Sequence, residues 1–227
     1  MIITPEWIFR LIFVLATFVM VAVRAVSQSR AVRDQGGVAV HEGPVSLVAG
    51  SVAALVSIVF GLEYIVAPGA FAFAYSWAYP VWLRWVGAVV LPGGVALLAW
   101  AHRHLGKSFH SLIVTKQDHV FVDTGPYRYI RHPIYLAYLL NYVGGGLLAG
   151  NWVLTVVPVA AYAVLVVLRL GQEERVMISR FGDAYEAYMA RTGQLVPRIA
   201  FSGRRSAISG QRSAKAGSSQ PGVGSKE

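Results

Sequence analysis

The residues best able to do chemistry in this 227-residue chain gather in two polar stretches, His102–Tyr135 and Arg169–Arg198. In the first, Gly125-Pro126-Tyr127 is followed closely by Arg131-His132-Pro133-Ile134-Tyr135. Gly-Pro makes a tight turn that lets another group approach the backbone. Pro133 suits the first turn of a helix, where no intrahelical donor is lost. Exposed amide N–H groups at that helix start, with Arg131 and His132 beside them, would form a site for a carboxylate or phosphate. The alternative is a capped helix start whose arginine snorkels to a membrane surface. In the second stretch, Glu173-Glu174 would hold an amine or the hydroxyls of a ribose. Otherwise the pair is solvated and salt-bridged to Arg169 or Arg175. Phe181, Tyr185, Tyr188 and Leu195 fall near helical spacing, which either caps a ligand pocket or packs an amphipathic helix against a membrane. Arg191 follows that face into Thr192-Gly193.

Other chemistries are excluded or poorly served. There are no cysteines, so disulfides, thiolate nucleophiles and cysteine-ligated zinc are ruled out. His102, His104 and His110 lack the spacing of a zinc motif, and no metal site is expected.

The elements that position these residues are set by hydrophobicity. Hydrophobic residues make up 56% of the chain and charged residues only 14%, against about 25% charged in a soluble domain. The excess apolar surface needs a bilayer as solvent. A span takes about 20 mostly apolar residues. Trp7–Val23, Pro44–Leu62 and Trp85–Ala101 each approach that length, and the first reads as a retained span rather than a cleaved signal. From His132 to Leu168 the chain runs 37 residues without an Asp, Glu, Lys or Arg. As one helix that run would measure about 55 Å, against a hydrocarbon core of about 30 Å, so it must fold back. Gly144-Gly145-Gly146 and Gly150-Asn151 mark the turn. Two helices, about 134–149 and 152–169, then form a hairpin whose ends share one side, bringing Arg131-His132-Pro133 and Glu173-Glu174 together.

The expected fold is therefore all-α and integral to the membrane, with about five transmembrane helices. The cytosolic loop and a C-terminal helix would shape a pocket over the last two. The net charge of +9 follows the positive-inside rule and calls for no nucleic-acid partner. Arg24, Arg30 and Arg33, then Arg103, Lys107, Lys116, Arg128 and Arg131, then Arg169 and the basic residues after it fall on one side, with Arg10 and Arg84 near the other. This sets the N-terminus outside and the C-terminus in the cytoplasm of a multi-pass cell-membrane protein. The outer loop Ala67–Pro80 carries interfacial aromatics, although the uncharged run Tyr64–Leu83 would also allow a re-entrant segment. Glu63 and Arg84 stand at outer helix ends, where they would pair. Residues 1–78 hold the first two spans and the outer loop, and 79–201 a core of three helices, loop and C-terminal helix. Residues 202–227, rich in Ser, Gly and basic residues, read as a disordered tail that at most touches anionic lipid.

At the motif residues the sequence resembles the isoprenylcysteine carboxyl methyltransferase family and the related phospholipid N-methyltransferases. The resemblance is carried, in order, by His119 through Gly125-Pro126-Tyr127 and by Arg131-His132-Pro133-Ile134-Tyr135. After the hairpin come Glu173-Glu174, Phe181-Gly182, Tyr185, Tyr188, Arg191 and Leu195-Val196-Pro197. It covers about residues 100–200. It implies S-adenosylmethionine as cofactor, in a cytosolic pocket lined by His119, Val122, Gly125, Tyr127, His132, Tyr135 and Glu173 or Glu174, with Arg131 and Pro133 at the helix start. It implies that Arg191 holds an anionic acceptor or orients its nucleophile, and that Glu174 would deprotonate an amine acceptor. The acceptor would be a lipophilic small molecule (a prenylcysteine-type carboxylate, a lipid amine or a thiol) entering from the bilayer. Ala137 stands where the family often has Gly, and Gln194 where a second basic residue is common. Two other readings stand beside this one: an NADPH-dependent sterol-type membrane reductase, which would lack a Gly-rich dinucleotide fingerprint here, and a nonenzymatic membrane scaffold.

Overall fold

In the computed structural model, residues 6–34, 43–105 and 122–198 are described. Their regular structure is helical: α1 (Glu6–Asp34), α2 (Pro44–Val66), α3 (Val81–Leu105), α4 (Pro133–Ala149), α5 (Trp152–Phe181) and α6 (Asp183–Arg191). Short 3-10 turns lie at Ala72–Tyr75 and Gly125–Arg128. Four of the helices, α1, α2, α3 and α5, are long and apolar enough to cross a membrane, and α4 is a shorter apolar helix of 17 residues. Much of their outward surface is hydrophobic, with Val66, Val89 and Val167 78%, 74% and 75% exposed. In water that surface would aggregate. In a bilayer it faces acyl chains of the same polarity.

Because lipid is as apolar as leucine, such helices associate through close packing rather than burial from water, and small residues supply the closeness. Glycines do this between α3 and α4. A Cβ on Gly144 would stand 2.5 Å from the backbone nitrogen of Leu91, and one on Gly87 would collide with the backbone of Leu148. The Gly144–Gly146 run, expected at the turn, is therefore helical and serves as a packing notch, with Gly146 set against Thr155. The turn itself falls at Gly150-Asn151. Gly150 takes the left-handed conformation (φ 68°) that ends α4. Asn151 then caps α5, its side-chain oxygen accepting from the Leu154 amide at 2.9 Å. The hairpin is thus where the uncharged run required it.

Two further expectations change. The fifth helix does not stop near residue 169 but continues to Phe181, so Glu173-Glu174 lie on a helix rather than after one. Arg84 does not pair with Glu63. Its guanidinium grips both carboxylate oxygens of Glu6, at 2.7 Å each, and donates to the Leu148 carbonyl at 3.0 Å and to the Tyr64 hydroxyl at 3.1 Å. Glu63 instead accepts from the Gly69 amide (2.7 Å) and the Tyr75 hydroxyl (2.6 Å), folding the 67–80 segment onto the helix ends as a loop with one 3-10 turn. Trp77 stacks on Trp152 with ring centroids 4.9 Å apart, so this loop lies over the hairpin turn.

One core joins Phe9, Phe13, Tyr64, Leu91 and Leu148. A second joins Ala49 and Ala53 of α2 to Tyr162, Leu165, Val166 and Leu170 of α5.

Candidate active site

The far ends of α4 and α5 carry the polar cluster. Pro133 opens α4, and its neighbour His132 is the N-cap residue. A single parallel bridge joins Ile130 to Gly193. Through it the Arg131 amide donates to the Gly193 carbonyl (2.8 Å), the His132 amide to Gln194 (3.1 Å), and the Gly193 amide to Tyr129 (3.1 Å). Gly193 has no room for a Cβ, which would meet the Val196 carbonyl. The segment after α6 is thereby sewn to the start of α4.

Arg131 is at the centre. Its Nε donates to Glu174 Oε1 at 2.8 Å, and one terminal nitrogen to the carbonyls of Thr192 (2.6 Å) and Met189 (3.3 Å). Both side chains are largely buried, 8% exposed for Arg131 and 12% for Glu174. His132 sits between the two carboxylates, with Nε2 3.3 Å from Glu174 and Nδ1 3.6 Å from Glu173. Burial pushes its pKa below the ordinary histidine value although both carboxylates pull upward, so the ring is neutral at neutral pH. Tyr135 donates its hydroxyl to Glu173 at 2.5 Å. Glu173 keeps 41% of its side chain exposed. The two adjacent glutamates therefore differ: Glu174 is spent inside the protein, and Glu173 is open.

Part of the polar surface expected to hold an anion at the start of α4 is engaged within the protein. The amides of Arg131 and His132 are taken by residues 193 and 194, and the Arg131 guanidinium by Glu174 and two carbonyls. Arg191 stands apart from this cluster. It reaches Asp123 at 2.7 Å, lies 5.6 Å from the Tyr188 ring, and borders an open cleft of about 420 Å³ with Asp123 and Arg128.

Gly125 adopts a positive φ of 59°, and the ring of His104 from α3 fills the space a Cβ would take. The close approach that Gly-Pro allows is thus made by His104. The Tyr127 carbonyl accepts from the Tyr188 hydroxyl at 2.6 Å, while the Tyr127 hydroxyl is buried with no partner among the described residues. Tyr185 and Tyr188 are buried as α6 packs down, and Leu195 packs against the α2–α5 core, so these side chains pack on the protein itself. Ala137 is fully buried on the helix that meets α3, and its carbonyl lies 3.1 Å from where a Cβ on Gly94 would stand. Of the expected site residues, Arg131, His132, Pro133, Tyr135, Glu173 and Glu174 come together. Gly125 and Tyr127 approach through the 3-10 turn, with Val122 just before it. His119 and the tail 202–227 lie outside the described residues. Asp123, His104 and the carbonyls of Met189 and Thr192 were not foreseen. Only Asp123 offered a signal, as the acid immediately before Thr124-Gly125.

Comparison with known proteins first defines a class. The solved "eukaryotic intramembrane Ras methyltransferase ICMT (isoprenylcysteine carboxyl methyltransferase)" superposes with a TM-score of 0.54, covering 87% of this chain and 70% of that one at 20% identity. At that identity the shared property is the helical membrane fold. Over residues 85–179, which take in most of α3, all of α4 and most of α5, the chain is similar to the isoprenylcysteine carboxyl methyltransferase (ICMT) family. The protein-S-isoprenylcysteine O-methyltransferase of Schizosaccharomyces pombe is 33% identical over 96 residues, 41% of each chain. Methanethiol S-methyltransferase 2 of Bradyrhizobium diazoefficiens is 36% identical over 80 residues, 35% of this chain and 29% of that one. The chain therefore spans less than half the length of these two relatives.

Proposed function

We propose that the protein is a membrane-embedded, S-adenosylmethionine-dependent methyltransferase acting on a lipophilic small acceptor. The observation that carries this reading is the meeting of Arg131-His132 with Glu173-Glu174 at one end of the α4–α5 hairpin. The similarity to the isoprenylcysteine carboxyl methyltransferase family runs across that same hairpin, over residues 85–179.

The residues suit the cofactor's chemistry. Glu173, partly exposed and flanked by neutral His132 and Tyr135, offers an anion to an ammonium or a pair of ribose hydroxyls. The buried Tyr127 hydroxyl, without a partner among the described residues, offers a donor close by. Val122 and Gly125 contribute backbone and apolar surface. When bound, the cofactor supplies an electrophilic methyl group on a sulfonium centre. The protein's own part is to align the two reactants and exclude water, which carries much of such a displacement. Arg191, beside an open cleft, holds the acceptor's anionic group, and Asp123 aims it. Glu174 keeps Arg131 and His132 in place. For it to accept a proton from an amine acceptor, Arg131 would first have to release it. Carboxylate and thiolate acceptors need no base.

Five spans, an outside N-terminus and a cytoplasmic C-terminus complete the reading. They put this cluster at the cytosolic surface, where a soluble cofactor arrives, while the acceptor comes sideways from the lipid. The test is binding of S-adenosylmethionine and of NADPH to detergent-purified protein, with His132→Ala as control. Expected is saturable S-adenosylmethionine binding that weakens in the variant. NADPH binding alone points to a reductase, and binding of neither points to a scaffold. A radiolabelled methyl-transfer screen over carboxylates, thiols and amines then identifies the acceptor.

A further inference from the structure

At the opposite end of the bundle, Arg10 on α1 feels the Glu6 carboxylate only at a distance and in competition with Arg84. The Glu6 carboxylate nearby gives both oxygens to Arg84 at 2.7 Å and accepts from the Tyr64 hydroxyl at 2.9 Å. Glu63 is bound by the Gly69 amide and the Tyr75 hydroxyl. Arg10 makes no hydrogen bond or ion pair among the described residues. Its guanidinium carbon lies 5.9 Å from the Tyr64 ring centroid, and its Nε is buried and unpartnered. Leaving a guanidinium nitrogen dry and unpaired is unfavourable unless something else supplies an acceptor.

The surface beside it is open and shallow. A groove of about 450 Å³ is lined by Glu6, Trp7, Arg10, Leu11 and Val14. Trp7, Leu11 and Val14 follow one another at four and three residues, so they form a single stripe down α1, and they are 63%, 48% and 38% exposed. The stripe starts at an interfacial tryptophan, passes the arginine, and continues toward the middle of the helix.

We propose that this groove is a binding site for one anionic phospholipid, with Arg10 holding the phosphate and the Leu11–Val14 stripe receiving an acyl chain. Guanidinium matches phosphate oxygens in a fork geometry that ammonium lacks. Glu6 does not oppose the phosphate, because Arg84 already neutralises it. A headgroup with its own cation would bring a second positive charge against Arg10, so an anionic headgroup is favoured over a zwitterionic one.

The test uses the full-length protein exchanged into phosphatidylcholine nanodiscs with graded phosphatidylglycerol, and native mass spectrometry of the lipid retained. Expected is preferential retention of phosphatidylglycerol, reduced about fivefold in Arg10→Gln, the share of one basic residue at an anionic surface. Arg10→Lys should fall between the two, and Val14→Trp, which fills the groove and spares every charge, should also lower retention. Competition by inorganic phosphate at millimolar concentration should be weak, because it lacks the chain. Equal retention of both lipids, or phosphatidylglycerol retention unchanged in both Arg10→Gln and Val14→Trp, overturns the proposal. So does a Trp7→Cys cross-link between two copies that excludes lipid.

Discussion

Arg131 illustrates how much a single side chain organises here, since it touches α5 through Glu174 and the end of α6 through two carbonyls. Removing one member of a buried ion pair strands the other, at about 3–5 kcal/mol. Glu174→Gln should therefore lower thermal stability in detergent by about that amount. Glu173→Gln, next to it in sequence but open to solvent, should leave the melting temperature nearly unchanged and weaken S-adenosylmethionine binding. If both variants behave alike in both assays, the division of labour between the two glutamates is wrong. His132 supplies a pH dependence of defined sign. Its folded pKa is depressed by burial, so the unfolded chain takes up a proton first, near its ordinary value of about 6.5. The stability contributed by the neutral ring is full above that value and is lost as pH falls through it. Thermal midpoints followed from about pH 7.5 to 5.5 should decline less steeply for His132→Gln than for the unaltered protein.

At the scale of elements, legibility divided along physical lines. The hairpin could be read because a 37-residue run without charge has only one way to fit a bilayer, and because Gly150-Asn151 is both a helix stop and a helix start. The glycine triplet misled because glycines signal turns in water, whereas between membrane helices they permit contact. Gly144→Val should separate α3 from α4 and destabilise the protein by about 3 kcal/mol or more, at the upper end for overpacking, read as loss of monodisperse protein on size-exclusion chromatography after mild heating. The length of α5 is not legible in the sequence, because apolar residues stop near 169 whereas the helix runs on to Phe181. The Glu6–Arg84 bond could not be read at all. It joins residues 78 apart, whereas Glu63 stands much nearer to Arg84 in sequence.

At the scale of the whole molecule, membership in a membrane fold was legible from composition alone. The site was legible only in part, because the bridge between residues 129–132 and 193–194 depends on a tertiary contact no local pattern announces. The proposed orientation is testable with unusual economy, since the chain has no cysteine and every introduced thiol is its own reporter. A membrane-impermeant maleimide added to intact cells should label Gly69→Cys in the 67–80 loop and leave Ser179→Cys at the far end of α5 unlabelled until the cells are opened. Labelling in the reverse order would place the polar cluster on the wrong side for a cytosolic cofactor.

The bridge at Ile130 and Gly193 closes α4, α5 and α6 into a loop of chain whose two ends are tied together. A linkage closed in this way has fewer independent motions than an open one. A displacement of the α5 extension, where Glu173 stands, must be taken up by α6, where Arg191 stands. If Glu173 and Arg191 serve the two substrates as proposed, occupancy at the carboxylate would be felt at an arginine on a different helix, and the two halves of the site would be kept in step by chain geometry rather than by direct contact.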